Sequence, residues 1–366
     1  MSGVTRSTLE PRITEQRVMS PRAAADEDDS DEAPHPRATT ELFGHASAET
    51  ALLAAYRSGR VPHAFLIAGP QGIGKATLAY RMARFVLSHP DPLSREVQAA
   101  SSLAIDANGP VARRVAAQAQ PDLLILERTF NDKGVLHKQI AVDDIRRTVA
   151  FFGSTAGEGG WRVAIVDAVD ELNRAGANAL LKVLEEPPQR ALLLLVSHSA
   201  ARVMATLRSR CRILTLRPLA DADVAKAVAA TTGADANDPH IAAASSAADG
   251  SVARALSLLD EGALLLRQQA LDLLDRLPSL DARALHALGE ALAGTDPQPL
   301  AAFIDTVNVW LSRRLSGGAN DIGRLDRLAE AWQRVNAAAR DAETYNLERK
   351  PLIFNVFGLL AEATRG

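Results

Sequence analysis

The sequence predicts an α/β fold for its N-terminal half, with a parallel sheet covered by helices on both faces, followed by an all-helical C-terminal part. Three observations predict it. Short apolar runs of strand length recur between residues 63 and 217, without polar alternation, as strands buried on both faces require. Stretches with apolar residues at helical spacing separate these runs, and strands alternating with helices favour parallel pairing. Beyond about residue 217 the strand signals cease and only helical patterns remain.

Each element has its own local reason. "ETALLAAYRSG" reads as a helix that stops at Gly59, and "HAFLIAG" as a buried strand ending in glycine. "KATLAYRMARFVL" spaces its apolar residues as a helix does. "PDLLILE" (121–127) and "WRVAIVD" (161–167) read as further buried strands. "NRAGANALLKVLEEPP" is a helix with its stop written in, because Pro187 and Pro188 cannot continue it. "RALLLLVSHS" (190–199) and a shorter run in "RCRILTLRPL" complete the strands, both expected to be buried. A first helical segment then runs to about residue 258 and a longer one to the C-terminus, and there is no internal repeat.

Composition narrows the function classes. Hydrophobic residues make up 47% and charged residues 23% of the 366, ordinary values for a soluble globular chain. Apolar runs are broken by charge or glycine before they reach the length of a membrane span, and the N-terminus has no apolar signal core. Cys211, the single cysteine, cannot close an internal disulfide, so a cytoplasmic location is expected. Residues 1–37 hold five basic and eight acidic groups, including the run "DEDDSDE", and read as a disordered acidic tail. That tail carries the whole net charge of −3, so the body is balanced and lacks the excess of a chain that binds DNA unaided.

The stretch "AGPQGIGKATL" carries the strongest chemical signal. Gly69, Gly74 and Lys75 fit G-x-x-x-x-G-K, with Gly72 as a further glycine inside the loop. Glycines let the backbone N–H groups converge on phosphate oxygens, and the following helix points its N-terminus at them. Lys75 would reach the outer phosphates. The residue after the lysine should be Ser or Thr, whose hydroxyl ligates magnesium, and here it is Ala76. Thr77 follows one position later, about 100° around the helix, and is a poor substitute. "VAIVDAVDE" has the form of the strand whose terminal carboxylate, Asp167, supports a magnesium shell. A glutamate that would activate water is replaced by Ala168, with Asp170 and Glu171 further on. The plain alternative for Asp167 is a strand-ending residue that caps the next helix.

"GWRVAIVDAVDELNRAGANALLKVLEEPP", the strand after it and "LRSRCRIL" together resemble the clamp-loader AAA+ proteins of bacterial DNA polymerase III. "GHASAETALLAAYRSGRVPHAFLIAGPQGIGK" and "YNLERKPLIFNVFGLLAE" extend the resemblance over roughly residues 42–366. The family implies an AAA+ P-loop domain at 38–216, a helical lid at 217–258 and an all-α collar at 259–366 that packs subunits into a ring. It implies a hetero-pentamer with tau/gamma and delta subunits that uses ATP to place a sliding clamp on primed DNA. It also implies that Arg210 of Ser209-Arg210-Cys211 projects into a neighbour's ATP site, where a planar, permanently charged guanidinium meets the charge on the transferring phosphoryl group.

The chain departs from the family pattern in informative places. Many relatives carry a four-cysteine zinc module after the P-loop helix, but "SSLAIDANGPVARRVAAQAQPD" has no cysteine, so no zinc is expected there. The ATP-hydrolysing members have G-S-x-R in the lid, whereas "GSVARAL" places Ala253 at the arginine position and Arg254 one later. Ser197 or His198 stands where a polar sensor would, although His198 reads equally as a loop histidine.

The leading expectation is therefore a non-catalytic stator that needs no cofactor of its own, with residual ATP or ADP binding left open. The rival is an active tau/gamma-type ATPase motor, favoured by Gly74, Lys75 and Asp167. A P-loop kinase for a small metabolite fits poorly, because it leaves the helical C-terminal third unexplained. Arg146 and Arg147 in "DDIRRTVAFFG" fit either a helix facing DNA or a solvated helix face.

Overall fold

The computed structural model describes residues 35–129, 139–140, 142–153, 160–294, 296–316, 322–345 and 347–365. In chain order the first elements are α1 (Ala46–Arg57), β1 (Ala64–Ala68), α2 (Lys75–Ser88), α3 (Arg95–Ala99), α4 (Pro110–Ala116) and β2 (Leu123–Glu127). Then come α5 (Val142–Gly153), β3 (Arg162–Asp167), a single 3-10 turn (Val169–Glu171), α6 (Arg174–Glu185), β4 (Ala191–Ser197), α7 (Ala205–Arg208) and β5 (Arg212–Thr215). Helices alone follow: α8 (Asp221–Thr232), α9 (Pro239–Ala247), α10 (Val252–Ser257), α11 (Glu261–Asp275), α12 (Ala282–Ala291), α13 (Pro297–Ser316), α14 (Ile322–Tyr345) and α15 (Arg349–Thr364).

The five strands form one parallel sheet in the order β2-β3-β4-β1-β5. Their side chains alternate between two cores, as the period-2 pleat dictates. Phe65, Ile67, Val163, Ile165, Leu192 and Leu194 face the core made with α1 and α2, to which α3 and α4 add Val97, Val111 and Val115. Leu66, Ala164, Val166, Leu193 and Leu195 face the opposite core, made with α5, α6 and α7. With helices on both faces, the central strands carry continuous apolar runs. The two edge strands depart from the expectation of full burial. β2 is mostly half-buried, and β5 is exposed at Arg212, Ile213 and Thr215. Among the described residues each pairs with one neighbouring strand.

The segment between α2 and β2 is held by caps, buried side chains and hydrogen bonds to α1. Ser94 caps α3 by accepting the Val97 N–H at 3.3 Å, and Gly109-Pro110 opens α4. Leu103 is fully buried, and its N–H donates to Glu49 Oε1 at 2.9 Å. The Arg57 Nε–H donates to Val97 O at 2.8 Å.

The acidic run of the expected tail lies outside the described residues. Residues 35–37, which composition assigns to that tail, pack against the body instead. Arg84 on α2 is almost fully buried and donates to Pro36 O at 3.1 Å and to Thr39 O at 2.7 Å. His35 lies 3.3 Å from Glu127. A buried guanidinium needs acceptors, and this stretch of backbone supplies them.

After β5 two helical clusters follow. α8, α9 and α10 share a small core around Val224, Val228, Ile241 and Ala255. α11–α15 enclose a larger one around Leu274, Val307, Leu311, Val335 and Phe357. No helix among the described residues is long and apolar enough to cross a membrane.

Leu194 lies on the central strand β4 and is fully buried between β3, β1 and the α1–α2 layer. Truncating it to Ala should lower the unfolding free energy by about 2–5 kcal/mol, the usual cost of a large-to-small core change, as read from urea denaturation.

Candidate functional site

The strand registers bring the candidate residues together. Ala68 pairs with Ser197 and Thr215, while Asp167 pairs with Val196 and Glu127, so the carboxyl ends of the strands finish along one edge. Ligands of open parallel sheets bind at that edge. The loop after β1 turns there. A Cβ at Gly69 would lie 2.6 Å from Leu216 O, so only glycine lets β1 exit so close to the chain leaving β5. Gly72 has φ +75°, in the left-handed region. Gly74 precedes α2, and Lys75 is its first residue.

Lys75 is 3% exposed, and its ammonium donates to Pro70 O at 2.5 Å. Burial pushes its pKa down to about 8, against the opposing pull of the Asp167 and Asp170 carboxylates. Asp167 ends β3, where burial raises its pKa and the Lys75 charge opposes the rise. Ala76 and Thr77 are half-buried on the first turn of α2, and Ala168 is buried directly after Asp167. Positions 76 and 168 thus present methyl groups, with neither a hydroxyl nor a carboxylate.

Around this centre lies a polar cluster that the sequence indicated only in part. The Asp170 side chain is fully buried, its Oδ1 accepts the His198 N–H at 3.0 Å, and its Oδ2 lies 3.8 Å from Arg202. Glu171 pairs with Arg128 at 2.8 Å and lies 3.9 Å from the His198 ring. His198 is therefore part of the cluster and not an isolated loop histidine. Burial, with Lys75 next in effect, pushes its pKa down to about 4, so the ring stays neutral near neutral pH. Ser197 is fully buried, and its hydroxyl accepts the Ser199 N–H at 3.1 Å. Arg128 and Arg202 carried no local signal; only the fold sets them beside Glu171 and Asp170. Among the described residues, no group of three or more His, Cys, Asp or Glu is arranged to hold a metal ion.

Ser209, Arg210 and Cys211 stand apart from this cluster, between α7 and β5. The Ser209 hydroxyl donates to Thr206 O at 3.1 Å. The Cys211 thiol donates to Leu207 O at 3.2 Å and packs against the α5–α7 core, and burial raises its pKa to about 11. Arg210, between them, is exposed. Its guanidinium donates to Thr206 O at 3.0 Å and pairs with Glu185 at 2.9 Å, where the two side chains are 37% and 51% exposed. Glu185 is the last residue of α6, so the two most distinctive motifs of the chain meet at this ion pair.

Residues 44–220, which carry both groups of residues, match the family model described as "DNA polymerase III, delta subunit". This segment belongs to that family. The chain is 36% identical to the DNA polymerase III subunit delta' of Pseudomonas aeruginosa over 149 residues, 41% of each chain. It is 32% identical to the delta' subunit of Escherichia coli over 167 residues, 46% of each chain. It is 28% identical to the gamma/tau subunit of Mycobacterium bovis over 341 residues, 83% of this chain and 55% of that one. The chain thus spans less than half the length of these two delta' relatives. The matched segment is an α/β unit built on the five-stranded parallel sheet, and helices follow it.

The pKa of Lys75 gives its burial a measurable signature. Between about 8 and 10.5 the native amine is mostly neutral while the unfolded one is still protonated. The unfolded state then binds more protons, so wild-type stability rises with pH in that window, by up to about 1.4 kcal/mol per pH unit. Lys75→Met should unfold at higher urea than wild type at pH 7, and the gap should narrow from pH 8 to pH 10. Parallel curves would mean that the buried ammonium carries no penalty.

Proposed function

We propose that the chain is the delta' subunit of a DNA polymerase III clamp loader, a stator that hydrolyses no ATP itself and donates Arg210 to a neighbouring ATP site. The observation that carries the proposal is the contrast between two sites. The P-loop keeps Gly69, Gly72, Gly74 and Lys75 but has alanine at 76, 168 and 253, where hydrolysis needs polar groups. Arg210 is intact, and exposed. Its partner Glu185 is a weak tether, because exposed ion pairs contribute about 0–1 kcal/mol. A phosphate group of greater charge can displace that carboxylate, and the fork of N–H donors then faces the oxygens on which charge builds during transfer.

In this reading the segments 38–216, 217–258 and 259–366 are the AAA+ domain, lid and collar. The chain sits in a hetero-pentameric ring with tau/gamma and delta subunits in the cytoplasm. Sliding clamp and primed DNA are engaged by the complex, with ATP supplied at the neighbours' sites. No zinc and no other cofactor is required of this chain, and the P-loop retains groups for residual ATP or ADP binding. The delta' relatives and the three alanines support the stator. The gamma/tau relative, aligned over 83% of the chain, supports a second reading as an ATPase motor.

In a reconstituted loader, Arg210→Ala should lower clamp- and DNA-stimulated ATPase at least about tenfold, since trans arginines contribute 10³–10⁵ in related phosphoryl transfer. Ring assembly, followed by gel filtration, should be unchanged. Unaltered turnover would remove the finger role. Lys75→Ala separates the two readings: a stator leaves the turnover of the complex intact, and a motor abolishes it.

A further inference from the structure

Arg254 lies one residue beyond the position at which the resembled family carries its lid arginine, and its position has a structural use. The N-terminus of α10 rests on the P-loop. The Ala253 N–H donates to Gly72 O at 3.3 Å. A Cβ at Gly72 would lie 2.3 Å from Ser251 Oγ and 2.8 Å from Ala253 Cβ, so this glycine makes room for the lid. Ser251 is itself buried and caps α10 by accepting the Arg254 N–H at 3.3 Å.

The side chain of Arg254 extends to the C-terminal helical cluster. Its Nε and one terminal nitrogen chelate Asp305 on α13 at 2.5 and 3.1 Å. The other terminal nitrogen donates to Ala248 O at 2.8 Å and to Asp249 at 3.3 Å. Asp249 adopts φ +54°, a left-handed conformation unfavourable for a residue with a Cβ. In that position its carboxylate also accepts from Arg267 on α11 at 2.8 Å and from Arg313 on α13. Arg267 is buried and donates a further bond to Thr306 at 3.1 Å. Two aspartates thus hold three arginines from lid and collar. Removing one member leaves a partly buried charge uncompensated, so such a network holds or fails as a unit.

We infer that these contacts form a brace: Gly72 is the seat of the lid, Arg254 is its tie to Asp305, and together they fix the AAA+ core, lid and collar at one angle. The inference deepens the stator reading and rests on it for its purpose, though its contacts stand without it.

Spin labels at Lys182→Cys on α6 and Gln333→Cys on α14, in a Cys211→Ser background of the full chain, report the angle. The parent distance distribution should be narrow. Without the tie, relative domain motion is the default, so Arg254→Ala and Asp305→Ala should each broaden it on the order of twofold. The double variant should add nothing, because both remove one interaction. Arg254→Lys keeps the charge without the chelate, folds more conservatively, and should fall between. A broad parent distribution, or narrow ones in all variants, would overturn the brace. So would loss of ADP affinity in Arg254→Ala but not in Asp305→Ala, which would return Arg254 to nucleotide binding. ATP turnover by the isolated chain would refute the stator alone, since the distances decide the brace independently.

Discussion

The in-register parallel ladder is the constraint on which the rest depends. Because the strands pair without offset, the chain leaves the sheet five times along the same edge. The loop after β1, Asp167 at the end of β3 and His198 after β4 are thereby set side by side, although 75, 167 and 198 are far apart in sequence. The continuous apolar runs that make this ladder also exclude water from beneath it. A charge placed at such an edge must be balanced locally, which is why Lys75, Asp167 and Asp170 act on one another there.

The two cationic sites differ in physics as well as position. Lys75 is held inside, donates to a carbonyl of its own loop and gives up proton affinity to burial. Arg210 is outside, tethered by a carboxylate that water also reaches. An inward charge is committed to the fold that surrounds it, whereas an exposed and weakly paired one remains available to another molecule. The contrast is the physical basis on which the proposal gives the two residues different roles.

The strands, the glycine loop, Asp167 and the helix stopped at Pro187 were legible in the sequence because each rests on local chemistry: an apolar run, a glycine at a tight turn, a proline that cannot donate. Burial of the edge strands was not legible. "RCRILTL" looks like an interior strand, and only the sheet order places β5 at the edge among the described residues. The polar cluster was half legible: Asp170, Glu171 and His198 could be named, but Arg128 and Arg202 could not. Arg254 and Asp305 are 51 residues apart, and neither has a spacing that marks the other. The displaced arginine could be seen in the sequence as a departure, while its new partner could be seen only in the fold. Residues 35–37 failed for the converse reason. Their composition is that of a tail, but their backbone carbonyls answer the buried Arg84.

Ser209-Arg210-Cys211 shows why a short motif can be specific. Cys211 gives its thiol to a carbonyl and its bulk to the core, fixing the start of β5. Ser209 closes the end of α7 through Thr206 O. With both flanks tied, the backbone at Arg210 has little freedom, and its long side chain starts from a defined point at the surface. Glu185 then sets its direction from the end of α6, a helix whose length is ended by Pro187 and Pro188. Were α6 a turn longer or shorter, the carboxylate would point elsewhere and the guanidinium would keep its bond to Thr206 O without the second contact that completes its orientation. The two motifs therefore specify one arrangement: a proline-timed helix end aims an arginine that a cysteine anchors.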